Sequence, residues 1–430
     1  MREELKKVLP DTAAVTAEGH LSLGGCDLVG LAEEYGTPLY VYDEAAIRAR
    51  ARGYRQALDA AYPGEGLVCY AAKAYCAPWL LRVLAEEGLG LDVVSGGELY
   101  AAQVSGFPLD RVYFHGNNKS EDELRIAVDA GVHRVVVDNL EEIDRLAAVG
   151  KKQAVLLRVA PGVEAHTHEH IKTGVLDTKF GLSIQTGAAA EAVRRIRETG
   201  VLDLLGLHAH IGSQIFELEP YRETIRRVVD FTVDVGLDLR ELSPGGGFGM
   251  RYTPADDPLP VPEVARAIAQ AVCEAAATWR FELPSLTIEP GRSIVGPSAI
   301  ALYTVGSIKE IPGVRTYVAV DGGMADNIRP TTYGAVYSAL LANRATDAAD
   351  ATVAVAGKYC ESGDVLIRAA NLPMPGLGDL VAIPGSGAYH LSMASNYNLA
   401  PRPAVVVVKD GQARLVRRRE TYADLLSNEL

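Results

Sequence analysis

An α/β fold is predicted: a closed (β/α)₈ barrel of the TIM type joined to a mostly antiparallel β domain, a sandwich or small barrel. Three observations lead there. Eight short apolar or β-branched runs recur between residues 67 and 289, and segments of helical period separate the first five. After Arg292 the texture changes to alternating runs broken by Gly and Pro.

The first 35 residues contain no barrel unit, so they are grouped with residues 291–430 as the β domain, leaving residues 36–290 as the barrel. Within it the expected strands are Leu67–Ala72, Leu91–Ser95, Arg111–His115, Arg134–Asp138, Val155–Val159, Leu204–Ala209, Leu239–Ser243 and Leu286–Glu289. Glu98–Val104, Glu121–Ala130 and Leu140–Ala148 carry the helical period. Ser95-Gly96-Gly97-Glu98 has the Ser-x-x-Glu spacing of a capping box. Strands alternating with helices imply βα units and a parallel sheet. Eight units over about 225 residues suit a closed barrel better than a doubly wound sheet. Beyond it, Ala301–Ile308, Thr316–Val320, Thr352–Ala356, Asp379–Ile383 and Ala404–Val408 read as strands, followed by a short helix Tyr422–Leu426.

Composition narrows the partners. A formal charge of −13 over 430 residues argues against nucleic acid or an anionic membrane. No stretch of about 18 uncharged apolar residues occurs, and Met1–Pro10 carries five charges and no apolar h-region, so neither membrane span nor signal peptide is expected. Five scattered cysteines make no disulfide framework and suit a reducing cytoplasm. His166, His168 and His170 alternate, as do His208 and His210, but neither set has a fourth ligand cluster beside it, so no metal is expected.

Barrel enzymes place their chemistry at the C-terminal ends of strands. Here those ends read Lys73, Ser95, His115, Arg158, His210, Gly245–Gly247 and Glu289. Three adjacent glycines have no evident packing role, whereas bare N–H groups on a freely turning backbone can cradle a phosphate. Lys73 ends an apolar strand, where partial desolvation would free its amine as a nucleophile for a Schiff base. A phosphate cradle with such a lysine points to pyridoxal 5′-phosphate, which also needs a group against its pyridine nitrogen. Glu289 suits that place, and His210 could lie on the ring face.

The motifs Tyr70-Ala71-Ala72-Lys73-Ala74, His210-Ile211-Gly212-Ser213-Gln214, Gly245-Gly246-Gly247-Phe248-Gly249 and Glu289-Pro290-Gly291-Arg292 occur together. With them stand Asp321-Gly322-Gly323-Met324, Cys360-Glu361-Ser362-Gly363-Asp364 and Gly387-Ala388-Tyr389. This set resembles the alanine-racemase-type fold III family of pyridoxal-phosphate enzymes, and within it the diaminopimelate decarboxylases of bacterial lysine synthesis. The stretch His170–Gly174 with Lys179-Phe180-Gly181 resembles the same subfamily, whereas Tyr75-Cys76 departs from its usual Asn and polar residue.

The resemblance implies decarboxylation of meso-2,6-diaminopimelate to L-lysine and CO₂. It implies that Lys73 forms the Schiff base, His210 stacks on the ring, and Ser213 with Gly245, Gly246 and Gly247 holds the phosphate. Glu289 would meet the pyridine nitrogen, with Gly291, Arg292 and Tyr389 also at the cofactor. Arg292, Arg329 and Tyr333 would bind the distal carboxylate, Glu361 the distal ammonium beside Tyr389, and Cys360 would donate the proton. A homodimer with shared active sites is implied too. Two arginines suit a dianionic amino acid, because guanidinium grips carboxylate bidentately, and they would repel the distal amine of ornithine or lysine. The alternatives are a related fold III decarboxylase for a carrier-bound glutamyl group or carboxynorspermidine, an amino-acid racemase, or a non-catalytic cofactor-binding protein.

Overall fold

The structure, a computed structural model, describes residues 3–163 and 179–430. It divides into two compact units. One comprises residues 50–249 and 258–291; the other comprises residues 1–49, 250–257 and 292–430.

The first unit is the barrel. Its strands are β1 (Gly66–Ala71), β2 (Gly90–Val93), β3 (Val112–Phe114), β4 (Arg134–Val137), β5 (Gln153–Ala160), β6 (Leu202–His208), β7 (Glu241–Gly245) and β8 (Ser285–Ile288). Every neighbouring pair is parallel, and β8 pairs with β1 through Leu286–Gly66, Thr287–Leu67 and Ile288–Val68, which closes the barrel. Both faces of such strands are covered, and this explains why they read as continuous apolar runs rather than alternating ones. Cys69, Tyr113, Val136 and Leu156 form one buried layer inside it.

The helices begin where the sequence places side-chain caps. Ser120 and Glu123 form a full capping box at Glu121–Ala130. At Gly96–Ser105 the expected box is only half made: Ser95 accepts from Glu98 N–H, but the Glu98 carboxylate accepts from Val94 N–H instead of Ser95 N–H.

The second unit is mostly antiparallel. Its strands include β9 (Ala299–Ile311), β10 (Arg315–Val320), β11 (Ala351–Ala356), β12 (Val365–Leu372), β13 (Leu380–Pro384), β14 (Ala404–Lys409) and β15 (Gln412–Arg417). β10–β11 is a parallel pairing, while β9–β10, β9–β13, β11–β12 and β14–β15 are antiparallel. The expected domain start at residue 36 needs correction. The strand Leu39–Asp43 inserts between β9 and β14, antiparallel to one and parallel to the other, and the unit boundary falls within the helix Glu44–Ala61. Leu-Tyr-Val-Tyr reads as any buried strand, and its partners lie some 260 and 365 residues away along the chain. Leu5, Leu9, Leu21, Leu23, Leu28 and Leu31 pack into the same core as Leu39, Val41, Ile300 and Val406.

Candidate active site

The C-terminal strand ends of the barrel unit carry a buried polar cluster centred on Glu289. This residue follows β8 directly, and Ser243 of β7 donates its hydroxyl to Glu289 Oε1 at 2.8 Å. His208, the last residue of β6, lies with Nε2 at 3.1 Å from Glu289 Oε2 and must donate to that carboxylate. His115 Nε2 lies 3.7 Å from Glu289 Oε1 and 3.5 Å from Asp92 Oδ1. Burial opposes the charge on Glu289, but His208, His115 and the Ser243 hydroxyl outweigh it and hold the carboxyl below its ordinary range. Asp92 goes the other way: burial and the charge on Glu289 keep its carboxyl well above the usual range.

His210 is held differently. Gly246 N–H donates to its Nδ1 at 3.2 Å, which places the remaining ring proton on Nε2. Burial, then the cations Lys73 and Arg158, push its pKa well below normal, so the ring is neutral. Lys73 sits on the short 3₁₀ turn Ala72–Ala74 that follows β1. Its flanking alanines are buried but its own side chain is exposed, so the partial desolvation expected of it is not found. Arg158 turns to Asp138, with Nη1 at 3.4 Å from Oδ2, and stacks 4.5 Å over the Phe180 ring.

The glycine run needs a second correction, since each glycine has a steric reason of its own. Gly245 and Gly247 adopt φ of 79° and 91°, and a Cβ on Gly246 would lie 2.1 Å from Glu289 O. Two of the amides are also committed within the protein, Gly245 N–H to Ser243 Oγ at 3.2 Å and Gly246 N–H to His210. Of the residues expected to hold the phosphate, Ser213 lies partly buried in the loop after His210. Gly291 is set by packing, because a Cβ there would meet Ala71 at 3.0 Å.

The barrel cluster fits pyridoxal phosphate. Asp92 Oδ1, His115 Nε2 and His208 Nδ1 are buried without hydrogen-bond partners among the described residues. An anionic glutamate, a neutral imidazole and unsatisfied polar atoms suit a polar heteroaromatic ring rather than an apolar ligand. Lys73, His210 and Glu289 are the residues that would hold it. His115, His208 and Glu289 also place one ligand atom each within 4.8 Å of one another. Sequence spacing missed this grouping, although the bond from His208 to Glu289 accounts for it without an ion. His166, His168 and His170 lie outside the described residues.

The remaining candidates belong to the β unit. Arg292 and Arg329 are both buried. Arg292 Nη1 donates to Tyr252 OH at 2.5 Å and its guanidinium lies 4.5 Å over the Tyr389 ring. Arg329 Nη1 donates to Tyr337 OH at 2.5 Å and its guanidinium lies 4.7 Å over the Tyr252 ring. Tyr252 thus touches both arginines, and neither it nor Tyr337 stood out in the sequence. Tyr389 has φ of 59°, a left-handed conformation that is strained for a residue with a Cβ and frequent at functional sites. Tyr333 ends the short helix Arg329–Tyr333 and is half-buried.

Cys360 is exposed on the loop after β11, with its backbone N–H 3.3 Å from Asn398 Oδ1. Glu361 Oε1 accepts from Tyr397 OH at 2.5 Å. Asp364 shapes this loop by accepting from Tyr359 N–H at 2.9 Å and Met324 N–H at 2.7 Å. No helix among the described residues is long and apolar enough to cross a membrane.

Comparison with known proteins agrees with this chemistry. The profile of the family described as pyridoxal-dependent decarboxylase, pyridoxal binding domain, matches residues 44–296. The chain is 49% identical to the diaminopimelate decarboxylase of Bacillus subtilis, with 98% of each chain covered. It superimposes with a TM-score of 0.91 on the crystal structure of the M. jannaschii diaminopimelate decarboxylase in complex with L-lysine, at 35% identity and 98% coverage of both chains. The Helicobacter pylori enzyme complexed with L-lysine gives 0.85 at 30% identity, with 94% of this chain and 99% of that one covered. By profile, full-length similarity and fold, the chain belongs to the pyridoxal-dependent decarboxylases, and within them to the diaminopimelate decarboxylase family.

Proposed function

We propose that this protein decarboxylates meso-2,6-diaminopimelate to L-lysine and CO₂, using pyridoxal 5′-phosphate. The observation that carries the reading is the 49% identity over 98% of the chain to a diaminopimelate decarboxylase. The alternatives with a carrier-bound glutamyl group, carboxynorspermidine, racemisation or no catalysis have no comparable support.

The roles are those that the resemblance to this family implies, and the chemistry of each side chain suits them. Pyridoxal phosphate, when bound, supplies the electron sink for the carbanion left as CO₂ departs. Lys73, with its side chain exposed, would hold the cofactor through its amine, and Glu289, kept anionic, would stabilise a proton on the pyridine nitrogen. Neutral His210 would pack its ring on the cofactor face, while Ser213 and Gly247 would take the phosphate, with Gly291 also at the cofactor. Arg292, Arg329 and Tyr333 bind the distal carboxylate, and Glu361 with Tyr389 binds the distal ammonium. When the Cα–carboxylate bond breaks, its electron pair stays with Cα and the Cys360 thiol supplies the proton that replaces CO₂. We further propose a homodimer in which Cys360 serves the partner subunit's barrel, with the enzyme in the cytoplasm.

The test is incubation of the purified protein with meso-diaminopimelate while L-lysine and CO₂ are followed. Equimolar products are expected. Absence of lysine from a cofactor-loaded preparation that turns over another amino acid would overturn the reading.

A further inference from the structure

In the β unit a single file of buried hydrogen bonds runs from Arg329 to Asp326 through three side chains that carry none of the proposed chemistry. Arg329 Nη1 donates to Tyr337 OH at 2.5 Å, and Tyr337 OH lies 2.8 Å from His390 Nε2. His390 Nδ1 lies 3.2 Å from Tyr40 OH, and Tyr40 OH donates to Asp326 Oδ2 at 3.1 Å. All five side chains are buried, the most accessible being Arg329 at 7%.

One arrangement of the protons satisfies every group along this file. A guanidinium has no acceptor, so the Tyr337 oxygen accepts from Arg329 and turns its own hydrogen toward His390. His390 Nε2 therefore accepts, and its ring proton resides on Nδ1, aimed at Tyr40. Tyr40 passes its hydrogen to Asp326, which also accepts from Tyr303 OH at 2.5 Å and from Gly323 N–H at 2.9 Å. Burial, then Arg329 and Arg292, hold the His390 pKa well below normal, as an accepting Nε2 requires. A cation begins the file and a carboxylate ends it. Reversing a link would leave a buried hydroxyl hydrogen or a carboxylate oxygen in the file without its partner.

An arginine side chain has many rotamers, and one held in place before its ligand arrives loses less on binding. We propose that Tyr337 and His390 are positioning residues that hold Arg329 toward the substrate's distal carboxylate and so set the preference for carboxylate-bearing ligands. This rests on the reading of Arg329 as a carboxylate-binding residue.

The test uses the holoenzyme with two competitive inhibitors, L-lysine and 1,5-diaminopentane, which differ by one carboxylate. For Tyr337→Phe, which keeps the ring, the KM for meso-diaminopimelate and the Ki for L-lysine should both rise about tenfold, as for one lost charge-assisted contact. The kcat, the cofactor absorption band and the Ki for 1,5-diaminopentane should stay within about twofold of wild type. His390→Leu should behave alike. His390→Gln should recover most of the L-lysine affinity, because an amide can accept from Tyr337 and donate to Tyr40.

Unchanged L-lysine inhibition in Tyr337→Phe, or equal weakening of both inhibitors, overturns the positioning role. Arg329→Ala separates the two levels. If it erases discrimination between the inhibitors and Tyr337→Phe does not, only the positioning role fails. If Arg329→Ala itself leaves discrimination intact, the carboxylate reading fails with it.

Discussion

Ser243 donates its hydroxyl to Glu289 Oε1 at 2.8 Å, linking the ends of two neighbouring barrel strands. Ser243 Oγ in turn accepts from Gly245 N–H at 3.2 Å, so one hydroxyl orders both the carboxylate and the start of the glycine run. Hydrogen bonds to charged groups contribute about 1.5–3 kcal/mol. Ser243→Ala is therefore expected to weaken pyridoxal phosphate binding by roughly ten- to a hundredfold. Absorbance titration of the apoprotein measures this, and unchanged affinity would show the hydroxyl to be dispensable.

Lys73→Ala is expected to lose the visible absorption band of the loaded protein. Activity should fall by at least about 10²-fold, since Lys73 is the residue that would hold the cofactor covalently. Borohydride reduction followed by peptide mapping should mark Lys73; a tag on another lysine would sink the assignment.

Arg329→Ala is expected to raise the KM for meso-diaminopimelate by about ten- to a hundredfold and to leave cofactor affinity nearly unchanged. Steady-state kinetics and cofactor titration on one preparation decide it. Equal turnover of lysine, ornithine and diaminopimelate by the wild type would contradict a dicarboxylate specificity.

Burial lifts the Asp326 carboxyl to about 6, although Tyr303, Gly323 and Tyr40 hydrogen-bond to it. Its unfolded value is 3.8. Between pH about 4 and 6 the folded protein holds a proton that the unfolded chain has released. The stabilising contribution is complete below pH about 4 and is lost as pH rises through 6, by an amount on the order of 3 kcal/mol. Asp326→Asn cannot titrate. The Tm of the wild type minus that of Asp326→Asn should accordingly fall between pH 4.5 and 7; a difference that stays flat or grows would refute the assignment.

If Cys360 serves a partner's barrel, mixing inactive Lys73→Ala with inactive Cys360→Ala under subunit exchange should restore activity. Half of the dimers are then mixed, and each holds one intact site of two, so about a quarter of wild-type activity is expected. A mixture that stays inactive while exchange is demonstrated would place Cys360 elsewhere.

What could be read along the chain was whatever depends on near neighbours. The eight barrel strands were legible because a parallel strand covered on both faces needs a continuous apolar run. The edge strand β15, Gln412–Arg417, was missed because its residues are half-buried or exposed and three of its six are polar. Of the site, Lys73, His210 and Glu289 were legible as polar residues at the ends of apolar runs. Ser243, Asp92 and Tyr337 were not, since nothing local distinguishes them from an ordinary strand serine, a strand aspartate or a core tyrosine.

The sequence by itself determined the barrel, the switch to an antiparallel unit, the family and the chemical types available to the reaction. Tertiary structure alone decided where Leu39–Asp43 pairs, because strand partners some 260 and 365 residues distant leave no local mark. It also decided that Glu98 caps Val94, that His208 and Ser243 set the charge of Glu289, and that two glycine amides are spent inside the protein. The physical reason is common to all of them. Propensity and burial pattern are properties of a segment, whereas a hydrogen bond is settled by which donor and acceptor the completed fold brings within about 3 Å of each other.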